Sequence, residues 1–241
     1  MSLFSVTAES RNGKTVVNDI RFSAPIKAAK PFYRDNYTEV MMMTASAGLL
    51  DGDRYDISIE VGADASLKIT GQSYAKIFKA DKKGAEQSVS LTVQNGGALY
   101  YSPPPVIPFG GSIFHGAVEV HLEKSARFVC SEIISCGRSG MGENFRFDSY
   151  ISRTSVYIEK RLCLLDNTRL IPKETELSDI GFFENKKHIG FMYCYNIEPS
   201  DPDIEDIAIS KAAKGIVVRA IANSVEKIES EFNRMTSNFF I

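Results

Sequence analysis

The sequence predicts a mainly β fold, β-helix-like in its stacked strands, with two C-terminal α-helices. Three observations point there. A strand-and-turn unit recurs loosely through the middle of the chain. Glycine, proline and aspartate corners punctuate the first 200 residues at short intervals. Apolar residues at helical spacing are confined to the last quarter. We read one domain over residues 1–241, with a β body at 1–200 and a C-terminal α/β piece at 201–241.

The chain turns on the stretch Ala47-Gly-Leu-Leu-Asp-Gly-Asp53, which runs into Arg54–Val61. Gly52 between Asp51 and Asp53 is turn chemistry, because glycine accepts positive φ and aspartate hydrogen-bonds its own backbone. Taken alone, this corner reads as a hairpin. Ile57, Ile59 and Val61 then alternate onto one face of a strand.

Earlier, residues 3–22 form an opening hairpin about Arg11-Asn-Gly-Lys14, and Glu39–Thr44 is a Met-rich strand. After the corner the repeat begins. Val61 and Leu67, Val93 and Leu99, and Leu122 and Phe128 are each six apart across a polar bridge, and equivalent positions lie 32 and then 29 residues apart. A small residue (Ala65, Ala98, Ala126) closes each bridge, and a hydroxyl (Thr70, Ser102, Ser131) follows the large residue. Repeats of this length suggest stacked coils. A sandwich of two hairpin-built sheets is the competing architecture.

Pro103, Pro104 and Pro105 cannot donate ladder hydrogen bonds, which makes Ser102–Gly111 an edge or a crossing. Strands follow near Phe145–Thr154, Ser155–Leu165, Phe191–Ile197 and Gly215–Ile221. The acids of Asp201–Asp206 suit a helix N-terminus. Val225, Ile228, Phe232 and Met235 mark an amphipathic helix, with Ser224 as its N-cap.

Composition narrows the function. With 28 basic against 30 acidic residues, the chain lacks the cationic excess that nucleic-acid binding leans on. No apolar run approaches the roughly 18 residues of a membrane span. The N-terminal stretch has no basic region followed by an apolar one, so no signal peptide is expected. The four cysteines, Cys130, Cys136, Cys163 and Cys194, form no CxxC pair and read as reduced thiols of a cytoplasmic protein. No nucleophile elbow, phosphate loop or zinc-protease motif appears. His115, His121 and His188 lack ligand-pair spacing.

Glu132 stands out. In Phe128–Cys136 strict alternation sends Cys130, Glu132, Ile134 and Cys136 to one face, so a carboxylate points toward the core. Burying it alone costs several kcal/mol, or a proton, unless a partner or water meets it. Arg138 and Lys76 are the candidate partners. The functional alternative is a wet internal passage. Asp53 and Asp166 also sit at the ends of apolar strands, and three such acids offer hard oxygen contacts to a divalent cation.

At these residues the chain resembles the urease accessory protein family UreD, called UreH in some bacteria. The resemblance runs through Pro31-Phe-Tyr33, Gly48–Asp53, Ile57–Thr70, Ala75-Lys-Ile-Phe78 and Pro104–Phe109. It continues through Ser131-Glu-Ile-Ile134, Gly137-Arg138, Gly142-Glu143, Phe145, and Asp166-Asn-Thr168 with Leu170. It implies a non-enzymatic role in urease maturation. The partners it implies are UreF, the GTPase UreG reached through UreF, and the urease apoprotein, with Ni²⁺ in transit and no permanently bound cofactor. It also implies an internal acidic tunnel whose wall positions correspond here to Asp53, Glu132 and Asp166. Members with Asp at the place of Glu132, or Glu at that of Asp166, keep the charge. Candidate partner surfaces are Pro103, Pro104, Pro105 and Phe109, and Ile228 and Phe232 of the C-terminal helix. Cys130 and Cys136 share the presumed face of Glu132. Two rival readings stand beside this one: a secreted-type β-helical enzyme acting on polysaccharide through paired carboxylates, and a purely structural adaptor.

Overall fold

The computed structural model describes residues 1–241, whose strands build two large sheets packed face to face and a two-stranded ribbon of Gly137–Arg138 with Glu143–Asn144. The first runs in the order Arg161–Leu170, Ser149–Ile158, Ile113–Leu122, Ala85–Val93, Arg54–Val61, Ser2–Arg11, Lys14–Phe22. Its inner neighbours are parallel; only the hairpins at its two ends are antiparallel. The second sheet stacks Thr38–Thr44, Ser66–Gly71, Ala98–Ser102 and Arg127–Ser135 in parallel. Antiparallel strands His188–Tyr195, Ile216–Ala222 and Ile207–Lys211 then extend it. A narrow third side joins them, where Ala75–Ile77 pairs with Val106–Pro108 and Leu49 bridges Ile77.

The chain alternates between sheets as it climbs, making a β-solenoid of stacked coils, and the repeat is its register. Val61 pairs with Val93 and Val93 with Leu122, while Leu67 pairs with Leu99 and Leu99 with Phe128. All six are nearly fully buried in the core between the sheets. Thr70 pairs with Ser102, and the Ser131 hydroxyl donates to Ser102 Oγ at 3.1 Å. One position shifts: Ala98 aligns with Ser66 and Arg127, which leaves Gly97 as the counterpart of Ala65 and Ala126.

The Asp51–Asp53 corner is not a hairpin; it carries the chain from the second sheet to the first. Asp51 Oδ1 accepts from the amides of Lys83 (2.9 Å) and Gly84 (2.8 Å) in the next coil. Those bonds hold its carboxyl below the usual range. At Gly48 a Cβ would stand 2.3 Å from the Lys76 carbonyl oxygen, so only glycine lets the two coils approach this closely. The proline run is a crossing, as its missing donors require. Pro104 lies against Gly71, where a Cβ would fall 2.2 Å from the proline ring.

The expectation of two C-terminal helices is corrected to one, Val225–Met235. Asp201–Asp206 is irregular and leads into the strand Ile207–Lys211, which doubles back through Gly215 at φ +84°. The acids there had a helix-start composition without apolar residues at three-and-four spacing behind them; Ile207 and Ile209 alternate instead. In the remaining helix, Ser224 Oγ accepts from the Lys227 amide at 3.3 Å. Val225, Ile228, Phe232 and Met235 cover the outer face of the second sheet, against Val129, Ile133, Met192 and Val218. Ile228 and Phe232, expected as partner surface, are 0% and 2% exposed: they hold the helix to its own sheet.

Candidate functional site

The repeat that packs the core also leaves a hole in it. Register places Tyr55, Gln87, Gly116, Ser152 and Thr168 side by side on the inward face of the first sheet. Where neighbouring rows hold Ile57, Val89 and Val118, this one holds polar or small side chains. Too little apolar volume is available there to fill the gap between the sheets. A cavity of about 260 Å³ results, and its wall includes Tyr55, Gln87, Tyr101, Cys130, Glu132 and Ser152. At about 30 Å³ each it has room for several waters, and its wall supplies polar partners for them. The Tyr101 hydroxyl, with the residue only 2% exposed, has no hydrogen-bond partner in the protein.

Glu132 enters from the facing sheet. Its neighbours Cys130, Ile134 and Cys136 lie in the main core and Val129 and Ile133 in the outer one, as strict alternation requires. Neither expected partner meets the carboxylate: Arg138 pairs with Glu143, with its Nε 2.7 Å from Oε2. Instead the Tyr150 hydroxyl donates to Glu132 Oε1 at 2.6 Å. Burial raises the carboxyl above its ordinary value, while the Tyr150 and Ser152 hydroxyls oppose that shift. Burial and the Glu132 charge together push the Tyr150 phenol well up. Glu132 is not closed off: it is half-buried and lines the cavity and a second hollow as well.

A second hollow lies on the far side of Glu132. It is an open groove of about 700 Å³ between the last strands of the two sheets, lined by Asn167–Leu170, Glu184, Asp206 and Arg219 among others. Glu132 and Phe191 are the two residues that line both hollows. They are cross-strand neighbours, and Arg219 is next in the same row. The Arg219 guanidinium sits 4.7 Å from the Phe191 ring centroid. From the first sheet Asp166 reaches across and binds Arg219 through Oδ1. Asp166 and Glu132 are close enough for their charges to interact, though Asp166 itself is absent from both walls.

Asp53 stands apart. Its Oδ2 accepts from the Leu50 amide at 2.8 Å, closing the corner turn, and its charge contributes to raising the Tyr55 phenol, after burial. Of the three acids, then, Glu132 and Asp166 are brought together and Asp53 serves its own turn. Cys130 is on the cavity wall and Cys136 is not. No group of three or more His, Cys, Asp or Glu side chains converges as a metal cage. His121 hydrogen-bonds Glu119 at 2.6 Å and stacks on Tyr157, a surface arrangement.

The family description "UreD urease accessory protein" matches residues 3–239. The chain belongs to the UreD/UreH family of urease accessory proteins. It is 39% identical over 240 residues to the urease accessory protein UreD of Acetivibrio thermocellus, covering 93% of this chain and 92% of that one. It is 30% identical to the UreH of Helicobacter hepaticus, over 92% of this chain and 91% of the relative. Against UreH of Helicobacter pylori strain J99 it is 32% identical over 90% of this chain and 86% of the relative.

Within this UreD-family chain, Pro103 and Pro104 sit on the cavity wall. Phe109 is half-buried under the Arg138 guanidinium, 4.3 Å from its ring centroid, and tilts against Phe78 at 4.9 Å. No helix is long and apolar enough to cross a membrane. The row Gln87, Gly116, Ser152, Thr168 went unread in the sequence. Its signal was the repeat itself: Tyr55, Gln87 and Gly116 follow the same 32- and 29-residue intervals that align the aliphatic positions.

Proposed function

We propose that this chain is a scaffold of the urease accessory complex that binds UreF, reaches UreG through it, docks on apo-urease, and passes Ni²⁺ through its interior. The carrying observation is Glu132, a carboxylate that walls both the inner cavity and the outer groove. Family membership supports the maturation role, and this geometry supports the passage. A transferring site must hold nickel weakly, since a full imidazole and thiolate cage binds a borderline metal too tightly to release it. A single carboxylate among tyrosine and serine hydroxyls meets that need. It offers the hydrated cation one negative contact, and neutral oxygens can replace part of its water shell.

In this reading Glu132 is the contact that cavity and groove share; Asp166 and Asp53, also assigned to the path, line neither hollow, Asp166 acting on Glu132 through its charge and Asp53 closing the corner turn. Pro103, Pro104 and Phe109, each half-buried, remain the partner surface that we assign to the accessory proteins, whereas Pro105, expected there too, is buried. The work is binding and transfer rather than catalysis, in the cytoplasm where urease matures. Family membership leaves the polysaccharide-enzyme reading without support. A purely structural adaptor is favoured by one observation, the Asp166–Arg219 pair, which ties the two sheets together.

The test is Glu132→Ala in the chain co-expressed with UreF, UreG and apo-urease. The expected result is a complex that still co-purifies and a urease with at least severalfold less nickel per active site. Full nickel content and activity with an intact complex would leave only the adaptor role.

A further inference from the structure

We propose that Asn12-Gly13 is a self-modifying site, where the backbone converts Asn12 to aspartyl and isoaspartyl residues, and that Ser125 suppresses the same reaction at Asn95-Gly96. These are the two Asn-Gly pairs of the chain. Glycine has no side chain to shield its amide nitrogen, so that nitrogen can attack Cγ of the asparagine before it. The new N–Cγ bond closes a succinimide ring as the Cγ–Nδ2 bond breaks, and Nδ2 leaves as ammonia, taking up the glycine amide proton. Water then opens the ring at either carbonyl. Opening at Cγ gives aspartate; opening at the α-carbonyl gives isoaspartate, whose main chain runs through Cβ and Cγ.

Both glycines turn the chain with positive φ, +73° at Gly13 and +72° at Gly96. What differs is what holds each pair. Asn12 and Gly13 span the turn between paired Arg11 and Lys14, which leads into the edge strand of the first sheet. Both are exposed, and nothing lies within 4 Å of where a Cβ on Gly13 would be. Asn95 and Gly96 are tied to the next coil. The Asn95 amide donates to Glu123 Oε2 at 2.8 Å, and Asn95 Oδ1 accepts from the Ser125 amide at 3.0 Å and its hydroxyl at 2.8 Å. The Gly96 amide donates to Ser125 Oγ at 3.0 Å. One hydroxyl therefore holds both reacting groups, the carboxamide and the attacking nitrogen. Ring closure needs the asparagine backbone to rotate until that nitrogen meets Cγ, so these bonds must break first, each ordinary one slowing the step about fivefold. The edge turn at Asn12 opens without disturbing the core. Isoaspartate there adds a carbon to the main chain that so tight a turn cannot absorb, which loosens Lys14–Phe22 from its partner strand.

The experiment is peptide mapping by mass spectrometry of the full-length chain held in warm, mildly alkaline buffer, resolving aspartyl from isoaspartyl products. The folded chain should convert Asn12 first, with Asn95 lagging about tenfold or more. Ser125→Ala should speed conversion at Asn95 about tenfold while Asn12 keeps its rate, which serves as the internal control against general unfolding. Ser125→Thr, which retains the hydroxyl, should protect Asn95 as the unaltered chain does. In guanidinium the two sites should convert at similar rates, because the fold no longer separates them. Equal rates in the folded chain, a Ser125→Ala variant in which Asn95 is no faster, or a lag at Asn95 that persists in guanidinium would overturn the inference.

Discussion

Glu132 is the residue whose chemistry is most exposed to test. Burial raises its carboxyl above the ordinary 4.5, so the folded chain keeps that proton to higher pH than the unfolded one. Its burial cost is therefore absent below pH 4.5 and grows as pH rises through the raised value. Glu132→Gln keeps an oxygen for the Tyr150 hydroxyl and removes the charge. It should raise the melting temperature near about pH 8, by roughly 2–4 °C per kcal/mol relieved, and the two curves should converge toward about pH 4. Thermal melts across pH check this; a constant offset at every pH would mean the carboxylate is not desolvated. At this scale the sequence was partly legible. Alternation within Phe128–Cys136 was enough to aim Glu132 inward, because a strand has only two faces. Its partner was not, since Tyr150 comes from another sheet and no local pattern records that approach. Asp53 is the converse case: an acid ending a strand looks the same whether it faces a passage or caps its own turn, and its Oδ2 accepts from the Leu50 amide.

Among the elements, the C-terminal helix shows where local signals suffice. Its N-cap and apolar stripe were readable, and Ser224→Ala should cost about 1 kcal/mol. What the stripe touches was not readable, because an amphipathic face looks alike whether it meets its own sheet or a partner. Phe232, packed on the sheet, should cost about 3–5 kcal/mol when cut to Ala, seen as a lowered denaturation midpoint. Gly190 decides that packing. A Cβ there would stand 2.8 Å from Ile228 Cγ2 and 3.0 Å from the Phe232 ring, so Gly190→Ala should destabilise by displacing the helix. Chemical denaturation of the two variants separates the cases: a partner-facing helix would leave both midpoints unchanged and weaken only complex formation. The mistaken helix at Asp201–Asp206 has the same lesson in reverse, for acids favour a helix start without making one.

For the whole molecule, the coil stack was legible because register repeats what sequence repeats: Val61, Val93 and Leu122 are neighbours in one ladder. The hollow was not, since it arises where polar and small residues fall at the same intervals, and the eye follows the aliphatic ones. That hollow is the centre of the account. The direct measurement is nickel per active site in urease matured by a chain carrying Ser152→Phe, which fills the cavity beside Glu132 and leaves all three acids in place. The account predicts a complex that still co-purifies and a urease left largely without nickel. Full nickel occupancy with the hollow plugged would contradict it.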